Sequence, residues 1–303
     1  AEVLRIVDAR PQIAARGHQL LGKGHEVVSR LGGAGVAELV FLNIGNVREM
    51  RDSYTALTAA CLAPDEANWF HQLHNSHWLD HVSALLEGAS RVARHLESGD
   101  PVLVHCSDGW DRTSQLSSLA QLLLDPYYRT LEGFEVLVSK DWCSFGHQFA
   151  SRSGHGDAGE NASPIFVQFL DAVWQLLLQF PTSFEFSEDL LLLLRHCVCS
   201  RWFNDFLQDS EYARTVFHAT CLTGPSPQHT TVSVWAHVHH ARELYANSLW
   251  EGWAQGPGQG QPGSPGRRPW GPRGATANGE GGGAATAGAG SEAGAAAPPP
   301  GPG

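Results

Sequence analysis

His105-Cys106-Ser107-Asp108-Gly109-Trp110-Asp111-Arg112-Thr113 sets a cysteine six positions ahead of an arginine, with two acids, a glycine and a hydroxyl beside them. Curled so that successive backbone N–H groups converge, such a segment is a cradle for a phosphate, and a helix starting at its end adds the positive pole of its dipole. Arg112 contributes a planar fork matched to two phosphate oxygens. The same field favours a thiolate at Cys106, because helix N-termini and nearby Arg bring a thiol from about 8.5 to roughly 3.5 to 7.5. A thiolate so placed can attack phosphorus and form a phosphocysteine, provided an acid protonates the leaving alcohol; Asp108 and Asp111 both stand in the loop for that task. Gly109 suits tight backbone geometry, and Thr113 is placed to donate to the sulfur. The bland alternative is a buried structural cysteine in a polar loop. A nucleotide-binding loop is disfavoured, since no Gly-Lys-Ser or Gly-Lys-Thr occurs.

The loop needs a strand before it and a helix after it, and the flanking sequence supplies both. Pro101 to His105 reads as a strand, and Leu116, Leu119, Ala120 and Leu123 keep helical spacing until Asp125-Pro126 ends it. Ahead of the strand, Val82, Leu85, Leu86, Ala89, Val92, Ala93 and Leu96 form an apolar helical stripe stopped by Gly99. Leu4 to Val7 and Leu39 to Ile44 read as buried strands, and Val47, Met50, Tyr54, Leu57 and Cys61 as a helical face. Further on, Ser163-Pro164 opens a helix closed by Pro181, and Ser187 caps another that runs to about Leu207. Alternating strands and helices imply an α/β fold, a central, mostly parallel sheet flanked by helices, with a mostly helical C-terminal part.

The chain has 303 residues and a formal net charge of −11. Residues 251–303 carry 17 of the 33 Gly and 9 of the 17 Pro, which marks a disordered Gly/Pro/Ala-rich tail and leaves one domain over 1–250. Glu251, Glu280 and Glu292 balance Arg267, Arg268 and Arg273 there, so the acidic excess sits on the folded part and a broad nucleic-acid surface is excluded. No basic and apolar leader opens the chain, and Leu190 to Leu194, its longest aliphatic run, is far below the roughly 18 residues of a membrane span. Six scattered cysteines suit free thiols in a reducing compartment, and a cytoplasmic protein is expected. His71, His74, His77 and His81 have spacings that could serve zinc on one helical face, but a helix–loop interface is the expected reading. Cys197 and Cys199 read as helix packing, His237, His239 and His240 as a surface or partly buried face, and Trp142, Trp174 and Trp202 as core. Trp110, inside the loop, suits either shaping the site's mouth or pressing on lipid.

His105 to Thr113, read as HCSDGWDRT, resembles the signature of the myotubularin family of phosphoinositide 3-phosphatases. The likeness extends to Asp8–Pro11, Phe41–Ser53, His77–His81, Asp125–Trp142, Ser144–Phe149, Ser163–Phe186 and Thr231–Trp235, best supporting a domain over 1–235. The resemblance implies a cysteine-phosphatase type of fold. It implies hydrolysis, with no metal or cofactor, of the 3-phosphate of phosphatidylinositol 3-phosphate and 3,5-bisphosphate. The setting would be a membrane surface, peripheral to endosomes. It further implies a lipid-binding domain of pleckstrin-homology type and opening strands ahead of the position of Ala1, so that the phosphatase domain here is incomplete. Pairing with a related inactive family member is implied for the longer form.

Matched position by position, Cys106 is the nucleophile, and Ser107, Asp108, Gly109, Trp110, Asp111 and Arg112 surround the 3-phosphate. Asp111 is then the preferred general acid, Asp108 contacts inositol hydroxyls, Asn46 and Val47 lie beside the headgroup, and Arg152 meets a second phosphate. Gln148 stands where relatives carry Lys or Arg, and His18 where they carry Asn. One cation fewer near the 5-phosphate implies a weaker preference for the bisphosphate. The alternatives are an inactive adaptor or lipid-binding form, against which the intact Cys106 and Arg112 argue, and a protein tyrosine phosphatase.

Overall fold

The computed structural model describes residues 3–19, 24–62, 67–155, 159, 161–223 and 232–252. The expected tail lies outside the described residues from position 253 onward, as do Thr231 and the side chain of His18. Leu4–Asp8 forms β1, Ala37–Phe41 β2 and Val102–His105 β3, in one parallel sheet of order β2-β1-β3. Asp8 pairs with both Phe41 and His105, so all three strands finish at the same edge. Parallel neighbours need crossovers. Here Gln12–Gln19 (α1) lies between β1 and β2, and Val47–Leu62 (α2), Trp69–Asn75 (α3) and Trp78–Glu97 (α4) between β2 and β3. The expected parallel sheet flanked by helices is therefore observed, as a small one.

The second strand stops at Phe41 instead of Ile44. Leu42 and Ile44 still donate to the carbonyls of Asp8 and Ala9, at 2.9 Å each, but Asn43 takes φ 56° and turns the chain out of the sheet toward α2. After β3 comes Arg112–Leu124 (α5), which packs along α4. Their close approach depends on Gly88, where a Cβ would stand 2.9 Å from Leu42 and 3.0 Å from Leu116. Helix α5 is buried nearly all round, so it carries internal polar groups that must be paired. Gln115 Nε2 donates to the Ile165 carbonyl at 3.0 Å and to Gln168 Oε1 at 2.9 Å.

Asp125 accepts from the Tyr127 N–H at 2.9 Å and Thr130 from the Gly133 N–H at 2.9 Å, which caps Leu131–Val138 (α6). That helix runs on into a π-turn, Ser139–Ser144, which carries Trp142 into the core. Phe149–Arg152 (α7), Ile165–Gln179 (α8), Glu188–Ser200 (α9), Glu211–Thr223 (α10), Val234–His240 (α11) and Arg242–Tyr245 (α12) follow. The centre of the core is aromatic. Trp142 meets Phe166 at 4.8 Å and Phe169 at 4.9 Å, and Phe149 meets Phe166 at 5.2 Å between ring centroids.

Two expectations of the C-terminal part are corrected. Ser187 does cap α9, accepting from Asp189 N–H at 3.3 Å, but the helix ends at Ser200 and not near Leu207. Arg201 adopts φ 62° and reverses the chain, which throws Trp202 outward. Trp202 is 66% exposed, edge-on to His196, and is not core. His71 and His74 sit on α3 whereas His77 takes φ 55° at the start of α4, so a single helical face of four imidazoles does not form. Among the described residues no three potential metal ligands converge, and no helix is long and apolar enough to cross a membrane. All six cysteines are free.

Candidate active site

The loop between β3 and α5 lies where the strands finish, beside the turn that leads from β2 into α2. Cys106 is buried, 7% exposed, and the Gly109 N–H donates to its sulfur at 3.3 Å. Gly109 has φ 93°, a conformation that side chains resist, and this lets the backbone fold back over the thiol. The Thr113 hydroxyl, with no other partner, is directed at the same sulfur. Burial works against the thiolate here. The Thr113 hydroxyl and the backbone N–H groups of Gly109, Thr113 and Asp108 outweigh it and hold the thiol below its ordinary value.

Arg112 is 8% exposed, with Nη1 on the Ile44 carbonyl at 3.1 Å and Nη2 on Ser107 Oγ at 3.2 Å. Its fork is thereby fixed between the loop and the segment entering α2. Asp108 and Ser107 are exposed, while Gly109 and Trp110 are half-buried. Asp111 occupies the N-cap position of α5 but caps nothing. Its carboxylate turns instead to Arg152, with Nε at 3.1 Å and Nη2 at 2.7 Å, and to His147 Nδ1 at 3.1 Å. Burial alone would raise this carboxyl, yet the hydrogen bonds from His147 and Arg152 bring it to about 2. His147 also approaches the Trp110 carbonyl at 2.8 Å through Nδ1, and its ring stands edge-on to Trp142 at 4.8 Å.

Asn46 is in the vicinity through its neighbour Ile44, but its side chain is engaged in a capping box. Its Oδ1 accepts from Arg48 and Glu49 N–H at 2.9 and 3.2 Å, and its Nδ2 donates to Glu49 Oε1. Val47 opens α2, its carbonyl accepting from Ser163 Oγ at 2.7 Å. Gln148 precedes α7, one residue after His147.

Spacing did not point to His147 or to the Asp8–Arg10 pair. Arg10 donates to Asp8 through Nε at 2.9 Å and Nη2 at 2.7 Å, with Asp8 fully buried at the end of β1. This pair supports the floor of the site, since Ala9 N–H bonds the His105 carbonyl at 2.9 Å. The signal for this pair was the family likeness over Asp8–Pro11, which assigned neither residue a role.

The cysteines differ in a measurable way. Burial pushes Cys143 and Cys197 up to about 12, opposite to Cys106. With iodoacetamide labelling read by mass spectrometry from about pH 5 to about pH 9, Cys106 reaches its full rate at lower pH in the folded than in the unfolded chain, and Cys143 and Cys197 stay unlabelled until denaturation. Matching Cys106 profiles in the folded and unfolded chain would remove the thiolate from the argument.

A thiol ringed by N–H and hydroxyl donors, with a guanidinium fixed in the same strand-to-helix loop, defines a cysteine-centred anion cradle. Its relatives are found by comparison of the whole chain. Residues 1–215 match the family model of the myotubularin-like phosphatase domain. The chain is 43% identical over 252 residues to myotubularin of Xenopus laevis, covering 82% of this chain and 40% of that protein. It is also 43% identical over 250 residues to phosphatidylinositol-3,5-bisphosphate 3-phosphatase MTMR2 of Mus musculus, covering 81% and 37%. The Caenorhabditis elegans phosphatidylinositol-3,5-bisphosphate 3-phosphatase mtm-1 is 41% identical over 255 residues, covering 82% and 41%. The chain belongs to the myotubularin-like phosphatase family, and spans about two fifths of the length of these relatives.

Proposed function

We propose that this chain is a phosphoinositide 3-phosphatase of the cysteine-phosphatase type, acting on phosphatidylinositol 3-phosphate and, with weaker preference, the 3,5-bisphosphate. The observation that carries the reading is the buried Cys106 sulfur receiving the Gly109 N–H at 3.3 Å, with Arg112 fixed six residues on, in a member of this family. Two relatives named as 3,5-bisphosphate 3-phosphatases support the substrate class.

In the proposed reaction, the 3-phosphate lies over the N-terminus of α5, held by loop N–H groups and by Arg112. The Cys106 thiolate attacks phosphorus; the S–P bond forms as the P–O bond to inositol breaks, and the departing oxygen takes a proton from Asp111, which must first gain it from solvent because His147 and Arg152 hold it as a carboxylate. Water then releases phosphate from the phosphocysteine, with Asp111 taking the proton back. Exposed Asp108 accepts hydrogen bonds from inositol hydroxyls, and Arg152 meets a second phosphate. Because the Asn46 side chain is engaged in the cap of α2, the Asn46–Val47 segment serves the headgroup by its position rather than through that amide. The lipid surface supplies the substrate, and the local cations Arg112 and Arg152 offset the repulsion expected for a chain of charge −11.

The test is phosphate release from vesicles carrying phosphatidylinositol 3-phosphate, the 3,5-bisphosphate or the 5-phosphate, with a phosphotyrosine peptide as a fourth arm. Release from the two 3-phosphorylated lipids alone is the expected result. Release from the peptide alone, or none from a chain shown to be folded, overturns the reading. In the same assay, Gln148→Arg raises turnover of the bisphosphate relative to the monophosphate by about threefold to tenfold, one added charged contact. An unchanged ratio removes Gln148 from the specificity argument.

A further inference from the structure

Past the π-turn the chain holds a phenylalanine out in solvent. Phe145 is 66% exposed, yet its backbone is firmly placed: its N–H donates to the Lys140 carbonyl at 3.2 Å, Gly146 takes φ 83°, and the His147 N–H returns to the Trp142 carbonyl at 2.9 Å. His147, two residues on, reaches the Trp110 carbonyl of the loop at 2.8 Å, so this turn stands beside the cradle of Cys106.

Helix α10 meets the same wall. Asp209, just ahead of it, accepts from the N–H and Oγ of Ser151 on α7 at 2.9 and 2.6 Å, and Arg214 in its second turn donates to the Cys143 carbonyl at 2.6 Å. Because α7 carries Arg152 to Asp111 and Cys143 lies two residues before Phe145, these anchors set the start of α10 next to both. Arg214 is the one buried residue of α10 among the described residues. Tyr212 is 80% exposed, and Val216, one turn further on the same face, is exposed too. Of the 13 residues of this helix only Glu211 and Arg214 are charged. A solvated helix normally turns charges outward. In a chain with 31 Asp and Glu, an outer helix with a single acid and an aromatic and aliphatic stripe has the composition of a surface that becomes covered.

We infer that Phe145, Tyr212 and Val216 form an apolar docking rim that enters the interfacial layer of a phospholipid bilayer and sets the cradle over the headgroups. The inference rests on the lipid substrate of the proposed function. A headgroup still joined to its acyl chains brings the bilayer to the mouth of the cradle, and the residues bordering that mouth must meet it; a protein partner on the same face would stand between the cradle and its substrate. Charge supplies no general attraction, since a chain of charge −11 is repelled by anionic lipid. Apolar burial is the attraction that remains. Phe145 offers a whole ring to the acyl boundary, and Tyr212 suits the headgroup level, with its ring inward and its hydroxyl in water.

The test separates docking from chemistry. Sedimentation of the 303-residue chain with phosphatidylcholine vesicles that hold no phosphoinositide reads docking alone. Phe145→Ser and Tyr212→Ser are each expected to lower the partition coefficient about fivefold to tenfold, and together about 25-fold or more. Raising salt from about 0.05 to about 0.5 M should leave it within about twofold, as apolar insertion requires. Phe180→Ser, at an exposed position at the end of α8 remote from the contact of Ile165 with Gln115, should leave it unchanged. On a short-chain phosphatidylinositol 3-phosphate dissolved as monomers, the rim variants turn over at the parent rate, whereas on vesicles their kcat/KM falls with the partition coefficient. A parent chain that does not sediment with plain vesicles overturns the inference, as do rim variants that sediment like the parent, an equal loss in Phe180→Ser, or a matching loss on the dissolved substrate. Self-association of the parent, abolished by the rim substitutions while vesicle binding is unmoved, overturns it as well and assigns the face to a second copy. Plain vesicles require neither headgroup recognition nor turnover, so a chain that docks through this rim but releases no phosphate from the dissolved substrate sinks the proposed function and leaves the docking rim standing.

Discussion

Cys106→Ser should abolish phosphate release from 3-phosphorylated lipid, by at least about 10⁴-fold, while the chain stays folded and still binds a soluble 3-phosphorylated headgroup. The size of the loss follows from the nucleophile. A serine hydroxyl is far from ionised at neutral pH, and His147 is turned toward Asp111 and the Trp110 carbonyl. Binding survives because the N–H groups of the loop and the Arg112 fork are untouched; Arg112 keeps Ile44 and Ser107 as partners whatever occupies position 106. The stability signature has a sign. The folded-state thiol titrates below its unfolded value, so the thiolate stabilises the fold at alkaline pH, and that contribution fades as pH falls through the folded value. Denaturation midpoints of parent and variant should coincide in acid and separate only toward alkaline pH, the serine chain being the weaker. Residual turnover within about tenfold of the parent would mean that Cys106 is not the nucleophile.

Trp142→Ala should cost about 3 to 5 kcal/mol, the largest stability effect of any single truncation considered, and at least about a fifth of the 5 to 15 kcal/mol that domains commonly have. Trp142 is fully buried, packs on Phe166, Phe169 and His147, and donates its indole N–H to Ser118 Oγ at 3.0 Å. Its removal leaves a cavity at the junction of α5, α6 and α8 and an unpaired hydroxyl on α5. Urea unfolding followed by circular dichroism measures the loss. Trp142→Phe, which keeps a ring but not the N–H, should cost about 1 to 2 kcal/mol, and Leu178→Ala at an exposed position of α8 less than about 0.5. The larger consequence is functional. His147 loses one of its two edge-on partners, keeping Phe149, so its hold on the Trp110 carbonyl and on Asp111 slackens, and amide exchange in 107–111 should quicken well below the unfolding transition. A Trp142→Ala chain as stable as the Leu178→Ala control would place the core elsewhere.

Both effects run through elements that differ in how far they can be read without coordinates. The strand, loop and helix around Cys106 are legible because their determinants are local: apolar runs, Gly99 and Gly109, and Asp125-Pro126 all act within a few positions. The capping box at the start of α2 has a local signature, Asn46 three residues before Glu49, left unused where family likeness places Asn46 and Val47 beside the headgroup. The end of α9 is not legible. Leu207 continues the apolar pattern, but Arg201 takes a left-handed turn that no local residue type demands, and exposed Trp202 follows from it.

By itself, the sequence determined the cysteine proposed as nucleophile, the arginine that shares its loop, the alternation of strand and helix that presents them, and the family. Each of these depends on residue type and short spacing, which the backbone converts directly into geometry. Only the tertiary structure decided the state of the acid. Asp111 meets Arg152 and His147 across 41 and 36 positions, and it is the packing of α7, the π-turn and α5 around Trp142 that brings a guanidinium and an imidazole onto one carboxylate. Sequence spacing carries no record of such a meeting, because its energy comes from burial and close approach rather than from any local preference of the chain.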